Sequence, residues 1–430
     1  AGTIGFGMTQ PRTAVRRLAL ARVISVTGSA AAYTALMFEI YDQTGSSVWL
    51  AAARIVTEGV TGLVGPLASV LGDRIDRRTV MIVSDLAAAV CFAGMALVAS
   101  SPGPLVAIAF LSALSEAPFW PASSAAIPNL VPQDQVSWAN SLVAIGRNIG
   151  IMVGPAVGGI LLAAVGAPSV FAINAASFVV SAALVVSVRA SFVGDRSDEG
   201  EHRGVWAGFR FLFHEPVLRR ISVAWLVLVL GIGMALVGDV PLVDVFGAGS
   251  AGFGVMIGLW GAGSILGSLA GRWLTAATEM RWLILGTAFT ACLGIAIALS
   301  PWFALVLVLN VAWGASEGIT GVAEQNLFQR RSPDSVRSRV LGAIEGLFHG
   351  GLTVSFVAAA FVLPVVGARG MYAIAGVAAG LSAIVLLPLL GATPITAGRP
   401  TTELPSGIRP PRRGGPPGET LGVEPPFKPR

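Results

Sequence analysis

Apolar residues fall in long blocks separated by short polar breaks. From Leu18 to Leu390 the blocks run for about 20 residues each, the length a helix needs to cross a bilayer core. The pattern predicts spans over 18–41, 48–71, 79–100, 104–127, 137–163, 168–188, 221–246, 250–273, 281–300, 302–327, 340–364 and 370–390. A helix satisfies its own backbone hydrogen bonds, as lipid requires. Composition agrees: 54% of residues are hydrophobic, 12% are charged and mean hydropathy is +0.77. A soluble domain carries about a quarter charged residues. The fold class expected is an all-α polytopic membrane protein of about twelve transmembrane helices, in two pseudo-symmetric six-helix halves.

Charge sets the orientation. Arg12, Arg16 and Arg17 precede the first span, and Arg74, Arg77 and Arg78 lie between the second and third. Arg189, Arg196, Arg203, Arg219 and Arg220 flank the sixth-to-seventh connection. Arg272 and Arg281 separate spans eight and nine; Arg330, Arg331, Arg337 and Arg339 separate ten and eleven. The alternate connections are short and nearly free of arginine, with Arg369 the main exception. The positive-inside rule places both termini in the cytoplasm, and an even span number agrees. The net charge of +5 is carried between apolar blocks, so no nucleic-acid partner is implied. Arginine supplies almost all of the positive charge, Lys428 being the single lysine. With the Ala, Gly and Val excess, this points to a bacterial source and hence to its plasma (inner) membrane.

The stretch 189–220 divides the chain. The expected organisation is a cytoplasmic segment over 1–17, a six-helix bundle over 18–188, a cytoplasmic linker over 189–220, a second bundle over 221–390 and a disordered cytoplasmic tail over 391–430, rich in Pro, Gly and Arg. Ala1 to Gly7 precede Met8 and are set aside as an extension. Within the linker, Trp206 to His214 reads as an amphipathic interfacial helix. Cys91 and Cys292 both lie in apolar blocks, so no disulfide framework follows. The halves also resemble each other. Val165-Gly-Ala-Pro-Ser-Val-Phe-Ala-Ile aligns with Val366-Gly-Ala-Arg-Gly-Met-Tyr-Ala-Ile, and Ser69 to Arg74 falls opposite Gly267 to Arg272. Such repeats mark transporters whose halves rock about a central site.

One run in the fifth span combines close packing with a bend. Gly150, Gly154 and Gly158 recur every four residues and share a helix face. A small-residue stripe lets a neighbouring helix approach to backbone contact. Pro155 removes a backbone donor and is expected to bend that helix; with Gly159 the set reads as a hinge.

Charges inside spans are costly in lipid and mark sites by default. Near mid-depth stand Arg54 and Glu58, Glu116, Arg147, Glu317 and His349. These six are the candidates for proton coupling. Arg54 and Glu58 are four apart and can pair on one face. Glu116 sits beside Pro118, Trp120 and Pro121, a break in its helix. A buried carboxylate holds a proton more readily than one in water, and Arg147 on the neighbouring helix is expected to govern its release. Glu317 is the second-half counterpart, with Glu345 one turn from His349. Asp85 is expected to pair with a loop arginine, and Glu39, Asp239 and Glu324 to reach water near span ends.

The segment Ser69-Val-Leu-Gly-Asp73-Arg74-Ile-Asp-Arg77-Arg78 resembles the loop signature of the major facilitator superfamily, matching at Asp73, Arg74, Arg77 and Arg78. Ser69 and Asp76 stand where that signature has glycine. The resemblance implies a gating loop there. The run from Gly150 to Gly159 is similar to the fifth-helix signature of the superfamily's proton-coupled exporters. The family's fourth-helix arginine pattern is absent from Ser112 to Trp120, a departure from its standard proton relay. By resemblance the first and fourth helices of each half line the cavity, which nominates Tyr33, Trp120, Trp225 and Trp313 as substrate-facing. Aromatics with a few carboxylates suit an apolar or cationic substrate.

These features imply a secondary active transporter, exporting small amphiphilic compounds such as drugs or siderophores in exchange for protons, by alternating access and as a monomer. Its partners are that substrate, protons and the lipid bilayer. The alternatives are an importer of a small nutrient on the same fold and a transport-inactive membrane sensor. No phosphate-binding loop of the Gly-x-x-x-x-Gly-Lys type occurs, so ATP drive is unsupported. The chain has three histidines and no His-Glu-x-x-His. No enzyme, metal or cofactor is expected.

Overall fold

In the computed structural model, residues 10–59, 76–132, 135–188, 205–332 and 337–391 are described. The segment 1–9, the tail after Gly391 and the stretch 60–75, with Asp73, Arg74 and the end of the second predicted span, lie outside them. The described residues are helical without a strand. The helices are α1 (Pro11–Thr44), α2 (Ser47–Arg54), α3 (Arg77–Leu97), α4 (Pro102–Glu116), α5 (Phe119–Leu130), α6 (Val136–Ser187), α7 (Val205–His214), α8 (Pro216–Val245), α9 (Gly249–Ala270), α10 (Glu279–Ala298), α11 (Phe303–Arg331) and α12 (Arg337–Leu386). Among the described residues, nine helical stretches are long and apolar enough to cross a membrane.

Local chemistry sets the boundaries. α1 starts on Pro11, whose missing N–H costs nothing in the first turn, and ends at Gly45, whose left-handed conformation returns its N–H to the Tyr41 carbonyl. Asp76, one of the departures from the family loop signature, is the N-cap of α3: its carboxylate accepts from the Thr79 backbone N–H at 3.0 Å. α2 passes directly into a π-helical turn over Ile55–Gly59 that carries Glu58, and such turns are frequent at functional sites.

The half-to-half repeat in sequence is also a repeat in backbone. α6 and α12 each hold two predicted spans, and each leaves the helical region at one glycine: Gly166 (φ 76, ψ 164) and Gly367 (φ 68, ψ 175). These occupy the same place in the two matched stretches. Glycine reaches positive φ without a Cβ clash. The dihedrals stay helical through Pro155; the reversal is at Gly166. Arg369, the exception to the charge pattern, donates to the Ala298 carbonyl at 3.4 Å and lies 5.2 Å over the Phe246 ring. It caps the carboxyl end of α10.

By their contacts the described helices fall into two groups, a first bundle of α1 to α6 and a second of α7 to α12. α1 packs along α6, which also packs on α3; α8 packs along α12, α9 along α11, and α10 on both α11 and α12. The bundles meet where α6 touches α9 and α2 touches α12. Three apolar clusters show how. One cluster, from Ala32 to Ala375, contains residues of both bundles. A second, with Ala14, Leu18 and Val185, belongs to the first bundle, and a third, with Leu218, Ile221 and Leu389, to the second. These two lie at the end that carries Pro11 and Leu389, called here the terminal end. At the other end the bundles are pressed together: the Ser47 hydroxyl donates to the Ala360 carbonyl at 2.7 Å, the Phe38 and Phe253 ring centroids are 5.2 Å apart, and a Cβ on Gly159 would fall 2.8 Å from the Gly254 Cα. Among the described residues, the apolar contact between bundles is thus concentrated away from the terminal end.

Candidate functional site

A cavity of about 370 Å³ lies between the bundles. This falls within the range of drug-sized sites. The first bundle supplies Tyr33 and Met37 from α1, Arg54 and Glu58 from α2 and its π turn, and Ile151 and Pro155 from α6. The second supplies Leu236 and Asp239 from α8, Phe253 and Trp260 from α9, Asn310, Trp313 and Glu317 from α11, and Tyr372 from α12. The lining thus holds three carboxyl side chains, one guanidinium and a ring of aromatics.

The charged groups are tied together rather than loose. Arg54 Nη1 meets Glu58 Oε1 at 2.5 Å, the i, i+4 pair expected from sequence. Its Nη2 reaches the second bundle, donating to the Leu236 carbonyl at 3.0 Å and standing 3.8 Å from Asp239 Oδ2. The Tyr372 hydroxyl donates to Asp239 Oδ1 at 2.5 Å. Asp239 is 4% exposed, so the expectation that it reaches water near a span end is corrected: α8 continues to Val245 and Asp239 faces inward. His349 Nδ1 lies 3.1 Å from the Glu58 carbonyl and its Nε2 3.8 Å from Glu345, again joining the bundles.

Glu317 is clamped. The indole N–H of Trp260 donates to Oε2 and that of Trp313 to Oε1, each at 2.8 Å. Trp313 precedes Glu317 by one turn of α11, so that half of the clamp is local. Trp260 arrives from α9.

Glu116 forms a second centre behind Tyr33. α4 ends on Glu116, and Ala117 and Pro118 separate it from α5, the break expected from the prolines. The carboxylate accepts from the Tyr33 hydroxyl at 2.6 Å and the Ser29 hydroxyl at 2.8 Å, both on α1. The guanidinium acting on it is that of Arg22, which also acts on Asp85. Arg147 instead lies 5.2 Å over the Trp120 ring.

The other predicted residues are placed as follows. Tyr33 and Trp313 line the cavity; Trp120 and Trp225 do not. Trp225 packs on Phe348, ring centroids 5.1 Å apart. Arg78 donates to the Val186 carbonyl at the end of α6, while Arg77 opens α3. Gly150, Gly154 and Gly158 pack against α1: a Cβ on them would fall 2.8 Å from Val26 Cβ, 2.8 Å from the Thr27 carbonyl oxygen and 2.6 Å from Ala31 Cα. That stripe serves packing within one bundle, while Pro155 and Gly159 face the other. Arg22, Trp260, Asn310 and Tyr372 had not been singled out in the sequence. A charge inside the first predicted span was a signal for Arg22; Trp260 and Tyr372 gave none, because their partners are distant in sequence.

Comparison with known proteins adds the relationship. The family model described as Major Facilitator Superfamily matches residues 18–278. The curated protein "Enterobactin exporter EntS" of Shigella boydii serotype 4 (strain Sb227) is 24% identical over 345 residues, covering 79% of this chain and 82% of its own; the protein of the same name from Escherichia coli O1:K1 / APEC matches equally. Among solved structures, a bacterial homologue of the iron transporter ferroportin in an inward-facing state superposes with TM-score 0.70 at 15% identity, over 89% of this chain and all of the other. The nucleoside transporter NupG does so with TM-score 0.69 at 12% identity, over 88% of this chain and 98% of the other. At these identities the structural likeness concerns the fold.

Proposed function

The chain belongs to the major facilitator superfamily, and we propose that it is a proton-coupled exporter of small amphiphilic compounds, drugs or siderophores among them. It is a multi-pass membrane transporter and not an enzyme. The proposal concerns direction, drive, substrate class and its place, with both termini cytoplasmic, in a bacterial inner membrane.

One observation carries the reading. The cavity between the bundles is walled by Arg54, Glu58, Asp239 and Glu317 set among tyrosines and tryptophans. Carboxyl groups held in an apolar wall can exchange a proton for a bound substrate, since each change of charge there alters what the cavity binds. The apolar contact between bundles away from the terminal end fits a state open towards the cytoplasm. Rocking of the six-helix bundles then exposes the cavity to the other side. Glu116 is the proposed proton carrier of the first bundle and Glu317 its counterpart. Arg54, Glu58 and His349 transmit the change across the seam, and Arg147 acts at the cytoplasmic mouth. Asp73, Arg74, Arg77 and Arg78 form the gating loop, and the chain acts as a monomer. Export is favoured over import by the Gly150–Gly159 run and by the likeness to an enterobactin exporter.

The test is a panel of fluorescent amphiphiles and nutrients offered to inverted membrane vesicles with an imposed proton gradient. Dye accumulation that an uncoupler reverses supports export. Gradient-driven movement of a sugar or amino acid in the opposite direction supports the importer, and no flux across the panel supports a sensor.

A further inference from the structure

Two guanidinium groups near the cavity have no hydrogen-bonded acceptor among the described residues. Arg22 of α1 lies 5.0 Å over the Phe119 ring and 5.4 Å over the Trp120 ring. Arg147 of α6 lies 5.2 Å over the same Trp120 ring. Neither makes a hydrogen bond or ion pair with any described residue, and Arg22 Nε is buried without a partner. A guanidinium carries five N–H donors, and a cation–π contact satisfies none of them. Leaving the buried Nε of Arg22 unpaired in an apolar span is costly. The two cations also repel each other across one indole.

The surrounding charges do not close the site. Asp85 and Glu116 are charge neighbours of Arg22 but make no hydrogen bond or ion pair with it among the described residues. Glu116 is committed to Tyr33 and Ser29. The carboxylate acting on Arg147 is Glu345 of the other bundle, whose side chain is 76% exposed and directed at His349.

Position gives the site a direction. Arg22 stands three helical turns before Tyr33 on the same side of α1, so it continues the side that bears Tyr33 towards the terminal end. Arg147, Ile151 and Pro155 do the same on α6, and Ala30, Tyr33, Ile151 and Pro155 line the cavity. Trp120 is 39% exposed. Two cations and an indole therefore stand together on the first bundle, on the terminal side of the residues that line the cavity.

We propose that Arg22, Arg147 and Trp120 form a binding site for an oxyanion, a carboxylate or phosphate, attached to an apolar or aromatic body. The anion takes the unused guanidinium donors in charge-assisted hydrogen bonds and removes the repulsion between the arginines. The body lies along α1 and α6 towards the cavity. Such an amphiphile arrives either as a solute or as the headgroup of an acidic lipid. The site is separate from the carboxylates proposed to carry protons, and its occupation needs no gradient.

The experiment is equilibrium binding of radiolabelled 1-naphthoate to the full-length protein in nanodiscs, with 1-naphthylmethylammonium as the cation of like size. Nanodiscs of phosphatidylcholine alone are compared with nanodiscs containing phosphatidylglycerol. Saturable naphthoate binding in both, weakened at least tenfold by R147Q and by R22Q, establishes the site for a solute. Naphthoate binding in phosphatidylcholine that phosphatidylglycerol abolishes, with lipid retained by the wild type and lost by R147Q in native mass spectrometry, establishes it for a lipid. Binding equal in wild type and R147Q, preference for the ammonium probe, or no binding of either anion overturns the proposal. Arg147 is exposed, so R147Q tests the site even if R22Q fails to fold. Dye flux in inverted vesicles separates this result from the transport reading.

Discussion

Arg54 Nη2 and Asp239 Oδ2 stand 3.8 Å apart across the seam between the two bundles, on the wall of the central cavity. Arg54 is also bonded to Glu58 in its own bundle and to the Leu236 carbonyl in the other. A charge shared by both bundles is positioned to report movement of one against the other. Neighbouring charges of this kind couple by about 0.5–3 kcal/mol in double-mutant cycles. R54Q, D239N and the double variant are accordingly expected to be non-additive in gradient-driven transport rate. Additive losses would show that the pair is incidental.

The Glu317 clamp separates a local contact from a distant one. W313F and W260F each remove one indole N–H from the carboxylate while keeping an aromatic ring. A buried acceptor left without its donor costs about 1–3 kcal/mol, so both variants are expected to melt below the wild type. Substrate affinity is expected to change in both, because both indoles line the cavity. Unchanged binding in both variants would remove Glu317 from the site.

Packing of α6 on α1 is tested by volume. A Cβ on Gly158 would fall 2.6 Å from the backbone Cα of Ala31, whereas one on Gly321 meets nothing within 4 Å. Overpacking costs about 1–3 kcal/mol or more. Gly158→Val is expected to reduce the folded fraction in size-exclusion profiles sharply, and Gly321→Ala to match or exceed the wild type. Equal profiles would contradict the close approach.

Closure away from the terminal end predicts a cross-linking result. With Cys91 and Cys292 replaced by serine, Ser47→Cys and Ala360→Cys put thiols on two residues that a hydrogen bond from the Ser47 hydroxyl to the Ala360 carbonyl holds together. A short bis-methanethiosulfonate reagent is expected to join them and stop flux, and reductant to restore it. Flux that continues in fully cross-linked protein would mean that this end need not open.

Much of the architecture was legible in the sequence because lipid imposes a simple code. Block length marked the nine membrane-length helical stretches among the described residues, and the repeat at Val165 and Val366 marked the two glycines, Gly166 and Gly367, where long helices turn. Arg54 and Glu58 could be paired from spacing alone. What stayed hidden was long-range: Asp239 looked like a residue near water because no spacing relates it to Tyr372 or Arg54. Trp260 could not be assigned to Glu317, since their helices meet only in the folded bundle. Arg147 and Trp120 were visible as unusual residues, but their contact with each other, rather than with Glu116 and the cavity, depends on how α1, α5 and α6 pack.

Exchange of protons for substrate is tested most directly by following both at once. The purified protein in sealed liposomes, with a pH-sensitive dye inside and a transported amphiphile from the panel outside, is given a proton gradient. Proton and amphiphile are expected to move in opposite directions. Glu116→Gln is expected to abolish the gradient-driven component while downhill exchange persists. Movement of both in the same direction, amphiphile flux without proton flux, or full gradient-driven transport by Glu116→Gln would contradict proton-coupled export.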